Sequence, residues 1–167
     1  AGFVPTAVVC NPDRPVGRKK IITPPPVKVL AQKNGIKALQ PEKLDEGFKF
    51  QVSSFKPDFA IIAAYAKILP KEIIDLFPRG MIGVHPSLLP KYRGATPIQG
   101  VILAGERETG VTLYLLDEKM DHGPILAQQE LEYPISNIQY PTLSQKLAEL
   151  GGDLLVETLP KFLNGEI

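Results

Sequence analysis

The sequence predicts an α/β protein with a mostly parallel sheet flanked by helices, and three observations carry that expectation. Between Asp58 and His85 an apolar run, a helical stretch and a second apolar run follow one another in units of about 20 to 30 residues, the repeat of a right-handed parallel crossover. The runs are near-continuous in apolar residues, as in strands buried on both faces. The last two strand-like runs are separated by little more than a turn, which predicts that the late strands add antiparallel. At 167 residues, 44% hydrophobic and 22% charged, the chain can bury a full core and its length favours one domain over 1–167.

Residues 5–10 are largely apolar and partly β-branched, which suits a buried strand. Ahead of them Ala1-Gly2-Phe3 reads as the tail of a helix with its glycine cap, as if a first strand and helix stood before it. Residues 11–26 lack a hydrophobic period and hold Pro12, Pro15, Pro24, Pro25 and Pro26, so an extended loop is expected. Residues 27–33 predict a short helix stopped near Gly35, and 36–39 a brief strand. Residues 41–44 could open another helix, whereas 48–55 suits helix and strand alike. Residues 58–65 make an apolar run of strand length that ends in the small residues before Tyr65. Pro70 at a first helical position starts a helix through Leu76, closed by Pro78-Arg79-Gly80. The run 81–84 then delivers His85 into a stretch that Pro86, Pro90 and Gly94 keep out of helix. Residues 96–104 predict a helix with Gly105 as its stop. Residues 109–117 and 124–133 read as strands around the Asp121-His122-Gly123 turn. Residues 141–163 predict a helix with Leu143, Leu147, Leu150, Leu154 and Leu155 on its core face, despite Gly151-Gly152.

Charge and composition exclude several classes. A net charge of +1 argues against a broad basic face coating nucleic acid, but one end is locally basic: in 11–37 the only acid is Asp13, against Arg14, Arg18, Lys19, Lys20, Lys28, Lys33 and Lys37. No apolar run approaches the ~20 residues that span a bilayer, and no secretory pattern opens the chain. The single Cys10 cannot form an internal disulfide, which points to a reducing cytoplasm and a buried, inert thiol. Two histidines and one cysteine offer no zinc-ligand spacing, so no metal is expected, and no glycine-rich phosphate loop is present.

His85 is therefore the residue around which chemistry would gather. An imidazole is the side chain whose unperturbed pKa lies nearest neutrality, and this one sits where a strand meets a loop. A lone histidine after a strand is nonetheless more often structural than catalytic. By position alone, Asp121 is a turn residue ahead of Gly123.

Three motifs carry a resemblance that bears on both. The run His85-Pro86-Ser87-Leu88-Leu89-Pro90-Lys91-Tyr92-Arg93-Gly94-Ala95-Thr96-Pro97-Ile98-Gln99 resembles the folate-binding and catalytic segment of the 10-formyltetrahydrofolate-dependent formyltransferases. Pro12-Asp13-Arg14-Pro15-Val16-Gly17-Arg18, continuing to Pro24-Pro25-Pro26-Val27-Lys28, and Leu116-Asp117-Glu118-Lys119-Met120-Asp121-His122-Gly123-Pro124-Ile125-Leu126 agree with that family in its order. The resemblance implies a Rossmann-like formyltransferase fold lacking its first strand-helix unit, with the family's C-terminal β-barrel domain absent. It implies transfer of a formyl group from 10-formyltetrahydrofolate, the co-substrate, to the α-amine of initiator methionyl-tRNA, by a cytoplasmic monomer. His85 would be the base, and Asp121 its partner or the residue that positions a relay water. Ser87, Leu88, Leu89 and Pro90, finished by Tyr65, Leu69 and Pro70, would bind folate. Arg14, Arg18, Lys19 and Lys20 would grip the tRNA acceptor stem. Formylation of a small amine, such as glycinamide ribonucleotide or an amino sugar, is the alternative on the same scaffold.

One position departs from the family pattern. Gly83 stands where the family carries asparagine, two residues before His85 and so on the same side of a strand. Losing an oxyanion donor typically costs on the order of a hundredfold to a thousandfold in turnover. Glycine leaves room for a water or a backbone N–H in place of the amide; otherwise the protein is slow, or a folate- or RNA-binding module without catalysis.

Overall fold

The computed structural model describes residues 2–65, 67–132 and 138–167. The chain divides into two compact units, Ala1–Pro57 and Asp58–Ile167. The α/β class expected from sequence holds, with flanking helices and a parallel strand pair in each unit.

In the first unit β1 (Ala7–Val9) pairs in parallel with the later β4 (Lys37–Leu39), Val8 opposite Ala38. Between them α1 (Pro26–Lys33) begins with Pro26 in its first turn, where a missing N–H costs nothing, and stops at Asn34 and Gly35. The expected loop over 11–26 is corrected. It contains a hairpin of β2 (Arg14–Val16) and β3 (Ile21–Thr23), Arg14 opposite Thr23. Every residue of both strands is exposed, so no face had to be apolar and no alternation marked them. Asp13 fixes the base of this segment. Lys28 Nζ lies 2.7 Å from its carboxylate and Gln40 Nε2 donates to it at 2.7 Å, holding Asp13 below the usual carboxylate range. The stretch that suited helix and strand alike is α2 (Glu46–Ser54), because Asp45 caps it by accepting the Phe48 N–H at 3.1 Å. That cap places the start after the expected 41–44, and Phe48 and Val52 bury one helical face.

The second unit is a four-stranded sheet of β5 (Ala60–Ala63), β6 (Met81–His85), β7 (Gly110–Leu115) and β8 (Ile125–Glu130), in that spatial order. β5 and β6 are parallel, joined through α3 (Lys71–Ile74), while β7 and β8 add antiparallel as the short connection predicts. Tyr133, the last residue of the strand expected over 124–133, lies outside the described residues. α4 (Pro97–Ala104) ends on Gly105, left-handed at φ 63°. α5 (Tyr140–Leu163) buries Leu143, Leu147 and Leu154 from its predicted stripe.

The pleat sorts this sheet into two faces. Ile82, Val84, Val111 and Leu113 point to the side covered by α5, and Ile98 and Val101 of α4 join the same core. Gly151 is what lets α5 approach: a Cβ there would stand 3.0 Å from Val84 Cγ1 and 3.4 Å from Val111 Cγ1. The residues between them turn the other way, and they are Gly83, His85, Thr112, Tyr114 and Gln128.

Candidate active site

Register fixes the floor of the site. Thr112 is opposite His85, Tyr114 is opposite Gly83, and Gln128 of β8 is opposite Thr112. His85 is 6% exposed, with Nε2 2.8 Å from the Tyr92 carbonyl oxygen. A carbonyl can only accept, so this contact puts the imidazole proton on Nε2 and leaves the Nδ1 lone pair turned toward Asp121. Asp121 Oδ2 is 3.6 Å from Nδ1, beyond hydrogen-bond range.

Asp121 reaches that position by a detour. β7 ends beside Ile82, the far end of β6 from His85, so the 116–124 loop must double back over the polar face. Asp117 ties the loop together: it accepts the Lys119 N–H at 2.8 Å and meets His122 Nδ1 at 2.8 Å, and His122 draws it below the usual carboxylate range. His122 is exposed, as expected, and belongs to this clamp. Asp121 itself is left-handed at φ 50°, a conformation aspartate tolerates better than most residues and one that gathers at functional positions. Its Oδ2 accepts the Gly94 N–H and its Oδ1 the Tyr114 hydroxyl, each at 2.7 Å. Burial first, then the bond to Asp121, pushes the Tyr114 phenol well above its ordinary range, so it remains a neutral donor.

The expectation that Gly83 leaves room for water or a backbone N–H is corrected. A Cβ at position 83 would lie 2.5 Å from Tyr114 Cζ and 2.9 Å from its hydroxyl oxygen, with Cε1 nearer still. The tyrosine ring fills the space.

The Ser87–Pro90 segment is anchored from below. Thr112 Oγ1, fully buried, donates to the Ser87 carbonyl at 2.7 Å and accepts the Leu89 N–H at 3.0 Å. Gln128 Nε2 donates to the Leu89 carbonyl and to Thr112 Oγ1, both at 2.9 Å, and Ser87 Oγ donates to the Lys91 carbonyl at 2.6 Å. Ser87 and Leu89 are buried, Leu88 is half-buried and Pro90 exposed. Tyr65 and Leu69, half-buried, follow β5; because β5 and β6 are parallel, their segment leaves the sheet at the same edge as the one after His85. Arg14, Arg18, Lys19 and Lys20 are exposed on the hairpin of the first unit. Among the described residues no group of three or more His, Cys, Asp or Glu could hold a metal ion, and no helix is long and apolar enough to cross a membrane.

The sequence reading missed Thr112, Tyr114, the Tyr92 carbonyl and the Gly94 N–H. Two of these are backbone groups that no residue type announces. For the others a signal existed: Thr112 and Tyr114 are spaced by two in an apolar strand, and a buried phenol or hydroxyl there needs a partner.

A mixed α/β unit that sets a histidine and a loop aspartate on one sheet face has the framework of a group-transfer enzyme. The chain belongs to the formyl transferase family, whose pattern matches residues 4–159. It is 48% identical over 168 residues to methionyl-tRNA formyltransferase of Chloroflexus aggregans, covering 100% of this chain and 54% of that protein. The chain spans about half the length of the curated relatives it matches. Among solved structures, phosphoribosylglycinamide formyltransferase from Bacillus halodurans superposes with a TM-score of 0.73 at 27% identity, over 84% of this chain and 77% of that one. The formyltransferase PseJ from Anoxybacillus kamchatkensis, solved with a formamido sugar nucleotide and tetrahydrofolate, gives a TM-score of 0.67 at 28% identity, over 86% of this chain and 75% of that one.

Proposed function

We propose that residues 1–167 form the catalytic domain of a cytoplasmic, monomeric enzyme that moves a formyl group from 10-formyltetrahydrofolate to the α-amine of methionyl initiator tRNA. The observation that carries this reading is the buried His85 facing Asp121 at 3.6 Å, in a chain 48% identical to a relative named for that activity. The higher identity to that relative than to the glycinamide ribonucleotide enzyme, at 27%, favours the tRNA amine over a small one.

The residues divide the work as follows. His85 accepts the proton of the attacking amine at Nδ1, the nitrogen its bond to Tyr92 leaves open. Asp121 stabilises the imidazolium that results, which then gives the proton to the leaving nitrogen. Leu88, Pro90 and Tyr65 offer apolar surface to a flat pterin, while Ser87 and Leu89 hold their loop in place through Thr112. This donor set suits the group: the apolar surface sits beside backbone polar groups on a rigid loop. Arg14, Arg18, Lys19 and Lys20 bind acceptor-stem phosphates from an exposed hairpin.

Steady-state formylation by the full-length protein tests the reading. His85→Asn should lower kcat by about 10² to 10⁴. Neutralising Arg14, Arg18, Lys19 and Lys20 together should raise KM for tRNA and spare any small-amine reaction. Full turnover of His85→Asn would refute the assignment, and a glycinamide ribonucleotide preferred over methionyl-tRNA would transfer it to the other substrate.

A further inference from the structure

Gly83 and Tyr114 form a cross-strand pair, and the phenol ring lies across the glycine so closely that no side chain fits between them. Tyr114 is 7% exposed. Its hydroxyl ends on Asp121 Oδ1 at 2.7 Å, while Oδ2, held by the Gly94 N–H, faces the imidazole. Each carboxylate oxygen thus has one neutral donor, and together the two donors fix the plane of the group. With the Gly94 N–H alone, the carboxylate could turn about its own axis. A bare β6 at residue 83 is the condition for this arrangement, since any Cβ there would expel the ring.

We propose that Tyr114 is a positioning residue of the proton-transfer centre: from β7 it reaches across Gly83 and aims Asp121 at His85, occupying the place that a polar side chain at residue 83 would take. The proposal rests on the reading of His85 and Asp121 given above. Its energetic logic is geometric, because a misplacement of about 1 Å at a reacting centre costs on the order of a hundredfold. The raised ionisation of the phenol keeps its proton available throughout the neutral range.

Tyr114→Phe keeps the ring over Gly83 and removes only the hydroxyl. In the full-length protein it should lower kcat about 10- to 100-fold and leave KM for the folate within about threefold. An independent readout needs no turnover: the Gly94 amide, bonded to Asp121 Oδ2, should exchange with solvent about tenfold faster while core amides keep their protection. The exchange of roles has its own test. Gly83→Asn alone should lower the melting temperature by collision with the ring, Tyr114→Leu alone should lose kcat as Tyr114→Phe does, and the double variant should recover about tenfold over Tyr114→Leu. Retention of kcat within about threefold by Tyr114→Phe, unchanged Gly94 exchange, or a folded double variant no faster than Tyr114→Leu would each overturn the proposal. If instead His85→Asn retains turnover, the reading of the reaction fails, and Gly94 exchange still decides whether Tyr114 holds Asp121.

Discussion

Replacing Thr112 by valine would remove one hydroxyl and almost no volume, yet that hydroxyl ties β7 to two backbone groups of the loop after His85. In the native chain it donates to the Ser87 carbonyl at 2.7 Å and accepts the Leu89 N–H at 3.0 Å, and Thr112 is fully buried. Gln128 Nε2 would give up one partner but keep the Leu89 carbonyl at 2.9 Å. The damage therefore concentrates on the Ser87 carbonyl and the Leu89 N–H, both on buried residues. Leaving a buried polar group unpaired costs about 1–3 kcal/mol, so Thr112→Val should lose about 2–6 kcal/mol of stability. Against a typical domain total of about 5–15 kcal/mol that loss is readily measured in urea. Thr112→Ser keeps the hydroxyl and should lose far less, which separates the hydrogen bonds from the packing of one methyl. Because the same bonds hold the proposed pterin wall, folate affinity should fall in the valine variant and persist in the serine one. A loss below about 0.5 kcal/mol for Thr112→Val would show that the loop finds other partners and that Thr112 is no anchor.

Other consequences are as direct. Leu143→Ala, at a fully buried position of α5, should cost about 2–5 kcal/mol in denaturant unfolding, whereas Leu103→Ala, 88% exposed, should stay within about 0.5 kcal/mol. Tyr114 has its ionisation raised from an ordinary 10.0; its contribution is fully present below that pH and is lost above it, where the unfolded chain gives up the proton first. Wild type should thus lose stability faster than Tyr114→Phe as pH rises past 10.0. Asp13 runs the opposite way, lowered from 3.8 by Lys28 and Gln40: its contribution is present above that value and lost as pH falls through the folded one, so Asp13→Asn should flatten the acid limb of an unfolding titration. If the hairpin cations meet RNA phosphates, removing Arg14, Arg18, Lys19 and Lys20 should reduce the slope of log affinity against log salt by about 0.7 to 0.9 for every phosphate left without its cation.

What could be read from sequence follows what was buried. The late helix was legible because Leu143, Leu147 and Leu154 had to face one core, and β6 because its apolar run had to end at Pro86. The hairpin of β2 and β3 was not, since strands exposed on both faces impose no pattern. Nor was α2, where the deciding signal is a single Asp45 side chain on the Phe48 N–H. At the site, His85 and Asp121 were named through motif order, but sequence could not bring them together. That required a loop to leave the far end of the sheet and fold back, held by Asp117 and His122, a matter of tertiary hydrogen bonding between residues whose types also suit any surface turn.

Gly83 shows how a departure from a family pattern changes meaning once its neighbour is known. Taken alone, a glycine beside the proposed base His85 is a missing donor, and solvent is the natural replacement. Taken with Tyr114 across the strand pair, the same glycine is a clearance for a ring whose hydroxyl bonds Asp121. The two interpretations differ in sign for the same substitution: if a donor is missing, Gly83→Asn should raise turnover, and if the position is already taken, it should collide with the ring. A cross-strand partner lies about 5 Å away in space and 31 positions away in this chain, so Gly83 and Tyr114 are coupled, and a side chain added at residue 83 displaces the ring whose hydroxyl bonds Asp121.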